Sequence, residues 1–190
     1  TVKIPRRAIV LMYAGEREVW KDGSLWPALD EQLEWDEDGI SEKLVPIEML
    51  RCKRTNNMLK PEPYNSLCTA AEEGKIEQIT GGPNCRTWSV KLHVPKEKGG
   101  LPCRGRSDEE CWGLAQLQEW WRWSDKEKTR DDSILFLRFM FVAWLAQQSG
   151  SLRAGFAEHP ADPADLTWGA TNWIPEATKA ASIWATSCMK

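Results

Sequence analysis

The chain has 190 residues, a formal net charge of −3 and 42% hydrophobic residues. That length supports one domain with a real core, and the slightly acidic balance excludes a strong overall attraction to polyanions. The longest apolar stretch, Ile134 to Ala146, is too short for a membrane span and carries Arg138 inside it, so a soluble protein is expected.

The first residue is Thr1, and no signal-like apolar run follows it. The chain therefore reads as an excerpt of something longer. Its six cysteines form no Cys-x-x-Cys pair and only two histidines accompany them, so no zinc spacing is present, no metal is expected, and reduced intracellular thiols are. Charge is unevenly placed. Eight acids lie between Ala28 and Glu48 against Lys43 alone, whereas Cys85 to Arg106 holds six bases against Glu97. The basic block suits an acidic substrate such as a polynucleotide, and a solvated loop explains it nearly as well.

In chain order, Ala8 to Tyr13 is a continuous apolar run of strand length, the kind buried on both faces of a parallel sheet. Glu16 to Trp26 reads as a loop or weak helix, Pro27 to Leu33 as a short helix and Trp35 to Glu42 as an acidic surface loop. Leu44 to Glu48 is a second strand, and Pro46 places it at an edge or a strand start. A helix follows from Pro63 to Glu73, with Leu67, Ala70 and Ala71 on one face and Gly74 closing it. Ile76 to Thr80 is the next strand. The segment 94–110, rich in proline, glycine and charge, reads as a long mobile loop.

Leu114, Leu117 and Trp121 then recur at helical spacing. Asp131 or Asp132 can cap a long helix that runs through Gln148 to Gly150 and packs on several sides. Arg153 to Glu158 is another strand, and 175–190 a helix cut short. Of the twelve tryptophans, Trp112, Trp121 and Trp144 are assigned to core, while Trp88 sits on a loop where its ring can meet a ligand. This order of strands and helices predicts an α/β domain with a mostly parallel sheet flanked by helices, spanning 1–190.

Gly81-Gly82-Pro83-Asn84-Cys85-Arg86-Thr87-Trp88-Ser89 leaves the third strand at its carboxyl end, where open α/β sheets place their ligands. Two glycines permit a sharp turn and a close backbone approach, and the proline stiffens the loop. A free, half-buried cysteine on an ordinary turn is the alternative reading of Cys85. The loop Gly-Gly-Pro-Asn-Cys-x-x-x-Ser, followed by Glu158 at the tip of a later strand, resembles the catalytic loop and glutamate of the DNA cytosine-C5 methyltransferases. The resemblance runs from about Ile9 to Pro160 and is dense only around Cys85.

It implies a Rossmann-like, S-adenosylmethionine-dependent methyltransferase fold lacking its carboxyl-terminal part. Cys85 would be the nucleophile, Glu158 the group at N3 of cytosine, and Arg86, Trp88 and Ser89 would meet the DNA substrate. Tyr13, Ala14 and Gly15 would lie beside S-adenosylmethionine, Glu48 would hold its ribose, Asn57 and Met58 would face the adenine, and Pro83 would complete that pocket. A nuclear location follows from the same likeness. The chemistry suits the residue types: a thiolate added at C6 makes C5 enamine-like, and an acid at N3 stabilises the resulting charge. Such a thiol needs a lowered pKa, for which Arg86 and the basic block supply a positive field. The base must be flipped out or offered on a single strand.

Departures are equally specific. Asn84 replaces the loop's second proline, Arg86 its glutamine, His159-Pro160 the usual Asn-Val, and Asn57 an aspartate. Leu11 stands for the first motif's acid and Glu16-Arg17-Glu18 for its later glycines. Methyltransferase-like domains within retroelement-type polyproteins are similarly divergent. Two other readings stand beside catalysis: a nucleic-acid or protein interaction module that keeps the fold, and a thiol hydrolase pairing Cys85 with His93 or His159.

Overall fold

A strand buried on both faces has to be apolar throughout, and the first strand satisfies this. In the computed structural model, which describes residues 3–13, 44–47, 56–94, 97, 100–160, 162 and 179–185, β1 spans Ala8–Met12 with Ala8, Val10, Leu11 and Met12 buried. It pairs in parallel with β2, Leu44–Ile47, and with β3, Ile76–Gly81. A fourth strand, β4 (Ala154–Ala157), pairs in parallel with β3, giving the order β2-β1-β3-β4 among the described residues. Pro46 lies on the terminal strand β2, where its missing N–H leaves no ladder bond unmade. The expected α/β arrangement with a parallel sheet is therefore present. The expectations for 14–43, including the acidic loop, lie outside the described residues.

Helix α1, Pro61–Glu72, precedes β3. Proline at its first turn has no N–H to leave unpaired, and Pro63, Leu67, Ala70 and Ala71 are buried along one face, as their spacing predicts. Its carboxyl end is a Schellman motif: Gly74 N–H donates to Ala71 O at 3.0 Å and Lys75 N–H to Ala70 O at 2.9 Å. Gly74 adopts φ 68°, the left-handed region. Tyr13, directly after β1, adopts φ 61° without being glycine, so the chain turns sharply at the carboxyl edge of the central strand.

Helix α2, Trp123–Gln148, joins β3 to β4 in sequence. It starts two turns before the predicted caps Asp131 and Asp132, because Asp125 already stands in its first turn, where it accepts from Arg122 Nε at 3.2 Å. The helical stripe expected at Leu114, Leu117 and Trp121 is instead two short 3-10 turns, Ala115–Gln118 and Trp120–Arg122. The buried stripe of α2 runs through Thr129, Asp132, Ser133, Phe136, Phe139, Val142 and Ala146. Its first half is polar and its second half apolar. Trp121 and Trp144, assigned to core, are each 50% exposed, since neither lies on that stripe. Trp112 is half-buried. In place of the helix expected over 175–190, the described part carries one 3-10 turn at Ile183–Ala185. Ala180 O accepts from Arg106 Nη1 rather than from a helical N–H.

The chain forms two compact units, Thr1–Pro83 with Leu137–Glu158, and Asn84–Phe136 with His159–Lys190. The first holds the sheet, α1 and the apolar half of α2. Within it Arg138 donates to the Met58 and Lys60 carbonyls, and its guanidinium lies 4.4 Å over the Tyr64 ring, tying α2 to the segment that enters α1. The second holds the cysteine loop, the 3-10 turns and the polar half of α2.

Gly74→Ala is expected to lower stability by about 1 kcal/mol, because alanine is strained at this φ although its Cβ would fit. Thermal unfolding of the two proteins measures the difference.

Candidate functional site

Two glycines shape the carboxyl edge of the first unit. A Cβ on Gly81 would collide with the Met12 carbonyl oxygen of β1, a backbone atom that cannot swing away. A Cβ on Gly82 would meet Glu158 Oε2 at 2.6 Å. Glu158 follows β4, its N–H donates to Gly81 O at 2.9 Å, and the residue is solvent-exposed. Its carboxylate therefore lies over the Gly-Gly turn at the end of β3. Pro83, buried, ends this unit.

The cysteine loop opens the second unit. Asn84 Oδ1 accepts from Arg86 N–H at 3.2 Å, a local turn that sets up Cys85. Cys85 is half-buried with φ −101° and ψ 6°, and its carbonyl accepts from Trp88 N–H at 2.9 Å, closing one 3-10 turn over Arg86–Trp88. Ser89 Oγ then accepts from Lys91 N–H at 3.3 Å, starting the next turn.

Asp132 of α2, fully buried, fastens this turn. Its Oδ2 accepts from the Thr87 hydroxyl at 2.8 Å, Thr87 N–H at 3.3 Å and Arg86 Nε at 3.4 Å, while Oδ1 lies 3.2 Å from Arg86 Nη2. Burial pushes the Asp132 carboxyl above its usual range, outweighing these contacts. The Thr87 hydroxyl accepts in turn from Arg104 Nε at 3.1 Å and Nη2 at 3.0 Å. Arg104 is 1% exposed. Its remaining donors reach Cys111 O at 2.7 Å, Ser133 Oγ at 3.0 Å and Thr129 O at 2.8 Å. All five guanidinium N–H groups are thus engaged. Burial still brings Arg104 down to about 10, well above neutral pH, so it stays charged.

The sequence-predicted residues fare differently. Trp88, expected to offer its ring to a ligand, is 3% exposed and lies under Arg104 at 4.0 Å, a packing role. Arg86 is half-exposed, and its charge is paired with Asp132 rather than left to act on the thiol alone. The basic block is also less available than its composition suggests. Arg104 is interior, and Arg106 makes a bidentate pair with Asp162 at 2.7 Å for both bonds. His159 packs edge-on against Trp88, Phe136 and Trp184, and burial holds its imidazole down to about 4. Such a ring is a weak base at neutral pH, which removes support from its part in a thiol hydrolase.

On the cofactor side, Ala14, Gly15 and Glu48 lie outside the described residues. Met58 is buried, and Asn57 Oδ1 accepts from Leu59 N–H at 3.0 Å. Tyr13 adopts its left-handed turn directly after β1, and Pro83 is buried. Among the described residues no group of three or more His, Cys, Asp or Glu could hold a metal ion, and no helix is long and apolar enough to cross a membrane. Sequence reasoning read Asp132 only as a possible helix cap and Arg104 only as part of a basic block, and it missed the network that joins them through Thr87. The signal available was weak: Thr129, Asp132 and Ser133 share the helical phase of Phe136 and Phe139, which marks a buried polar stripe.

Arg104→Met should cost at least about 3 kcal/mol in denaturant unfolding, since several buried acceptors lose their donors at once. The pH dependence of stability has a defined sign. An unfolded imidazole takes up its proton near pH 6.5 and the folded His159 near 4. Between these values the unfolded chain binds more protons, so the contribution is complete above 6.5 and is lost as pH falls towards 4. His159→Phe should flatten that part of a stability curve measured from pH 4 to 7.

Compared with protein-family models, curated proteins and solved structures, the chain gives no significant match.

Proposed function

We propose that this chain is a cytosine-C5 methyltransferase-type domain of Rossmann-like fold that acts on a cytosine base of DNA, with Cys85 as nucleophile and Glu158 at N3. One observation carries the reading: Glu158, at the carboxyl end of β4, holds its carboxylate over Gly82, at the carboxyl end of the adjacent parallel strand β3. The loop that leaves Gly82 carries the thiol three residues later.

The chain's own residues account for the covalent half of the reaction. The Cys85 thiolate adds to C6 and forms a C–S bond, and the electron pair of the C5–C6 double bond moves towards C5. Glu158 holds a proton at N3 and stabilises the charge that develops there. Protonation of C5 from water, loss of the original C5 proton and expulsion of the thiolate restore cytosine. This cycle exchanges the C5 hydrogen with solvent and needs no further reactant. In complete methyl transfer, S-adenosylmethionine would supply the methyl group at C5. No step here depends on it.

A second reading has its own observation. Trp120, Trp121 and Trp123 are 87%, 50% and 56% exposed, and Lys126 Nζ lies 5.0 Å from the Trp123 ring. Exposed aromatics of this kind mark interaction surfaces. They favour a non-catalytic nucleic-acid or protein interaction module that retains the fold, as does the cofactor side.

Release of tritium from C5-tritiated cytosine in a single-stranded oligonucleotide separates the two. Exchange by the wild type, lost in Cys85→Ala and reduced at least about 100-fold in Glu158→Gln, is the expected result. No exchange by the wild type, or undiminished exchange in Cys85→Ala, rejects the catalytic assignment. Calorimetry with S-adenosylmethionine then tests the methyl donor separately.

A further inference from the structure

We propose that Asp132 is a positioning residue for the Cys85 thiol, acting through Arg86 and Thr87. The proposal deepens the catalytic reading and rests on it for the meaning of the thiol.

Two consecutive residues immediately after Cys85 give three hydrogen bonds and an ion pair to one carboxylate. That carboxylate stands on α2, far along the chain, with no exposed surface. A buried charge is a poor source of stability, because an apolar group of similar size often does as well. What it supplies is directional hold. The Thr87 hydroxyl sits between Asp132 and Arg104, donating to one and accepting two N–H groups from the other. Arg104 extends the same hold to Cys111 O, Ser133 Oγ and Thr129 O. The Cys85 carbonyl is bonded to Trp88 N–H of the same turn. The backbone that carries the thiol is therefore fixed from its carboxyl side through Thr87. The half-exposed Arg86 is drawn inward by the same carboxylate.

The test is site-resolved alkylation of the full-length chain with iodoacetamide, read by mass spectrometry, with Cys68 as internal reference. Asp132→Asn and Thr87→Val should each speed alkylation of Cys85 by about fivefold, the shift that loss of one net hydrogen bond produces. Cys68 should be unaffected, and Thr87→Ser should keep the wild-type rate. Arg106→Gln cuts the Arg106–Asp162 pair in the same unit and should lower the unfolding temperature without changing Cys85. An unchanged Cys85 rate in folded Asp132→Asn and Thr87→Val overturns the proposal, and so does an equal change in Arg106→Gln. Should both variants fail to fold, hydrogen exchange of the wild type decides: Thr87 and Trp88 amides must be as protected as those of α2, and rapid exchange overturns it. Alkylation uses neither DNA nor a methyl donor. A failed C5 exchange rejects the catalytic reading, whereas an unmoved Cys85 rate rejects Asp132.

Discussion

A guanidinium taken out of water has to find acceptors for five N–H groups and company for its charge, and Arg104 meets both demands. Its partners are a threonine hydroxyl, a serine hydroxyl and two carbonyls, with Trp88 stacked on its face and Asp132 beyond Thr87. The turn after Cys85, the segment 103–113 and the polar half of α2 all contribute atoms. The turns at Arg86–Trp88 and Glu110–Trp112 are 3-10 turns of three residues each, too short to hold themselves by apolar burial. The interior polar network is what gives the second unit its order around the thiol.

The first unit depends on a different constraint. Parallel strands require crossovers and buried faces, and β1 satisfies this with an unbroken apolar run between β2 and β3. At the carboxyl edge the backbone of β1 comes too close for a side chain at Gly81, which faces the Met12 carbonyl, while Gly82 faces the Glu158 carboxylate. Both glycines are therefore contact residues. They leave room for the exposed Glu158 carboxylate over the turn that ends β3.

Function divides along the same line. In the proposed reaction the nucleophile is Cys85, on a braced turn, and the acid is Glu158, which follows β4. Of the cofactor side, Met58 is enclosed and Asn57 closes its own turn. Divergence at Asn57, together with exposed Trp120, Trp121 and Trp123, is the reason an interaction role stands beside catalysis.

The strands, α1 with its glycine stop, and the place of Glu158 just after a strand were legible in the sequence. Each depends on local rules: apolar runs, a 3.6-residue stripe, and backbone demands that glycine or proline meets. The start of α2, the exposure of Trp121 and Trp144, and the interior place of Arg104 were not. Apolar periodicity counts tryptophan as core and arginine as surface, and it passes over a stripe that changes from Thr129, Asp132 and Ser133 to Phe136 and Phe139 within one helix. Whether a charged side chain is solvated or enclosed depends on acceptors brought from residues 87, 111, 129 and 133. Only the tertiary structure assembles them, because hydrogen-bond satisfaction is a property of atoms in space rather than of neighbours in the chain.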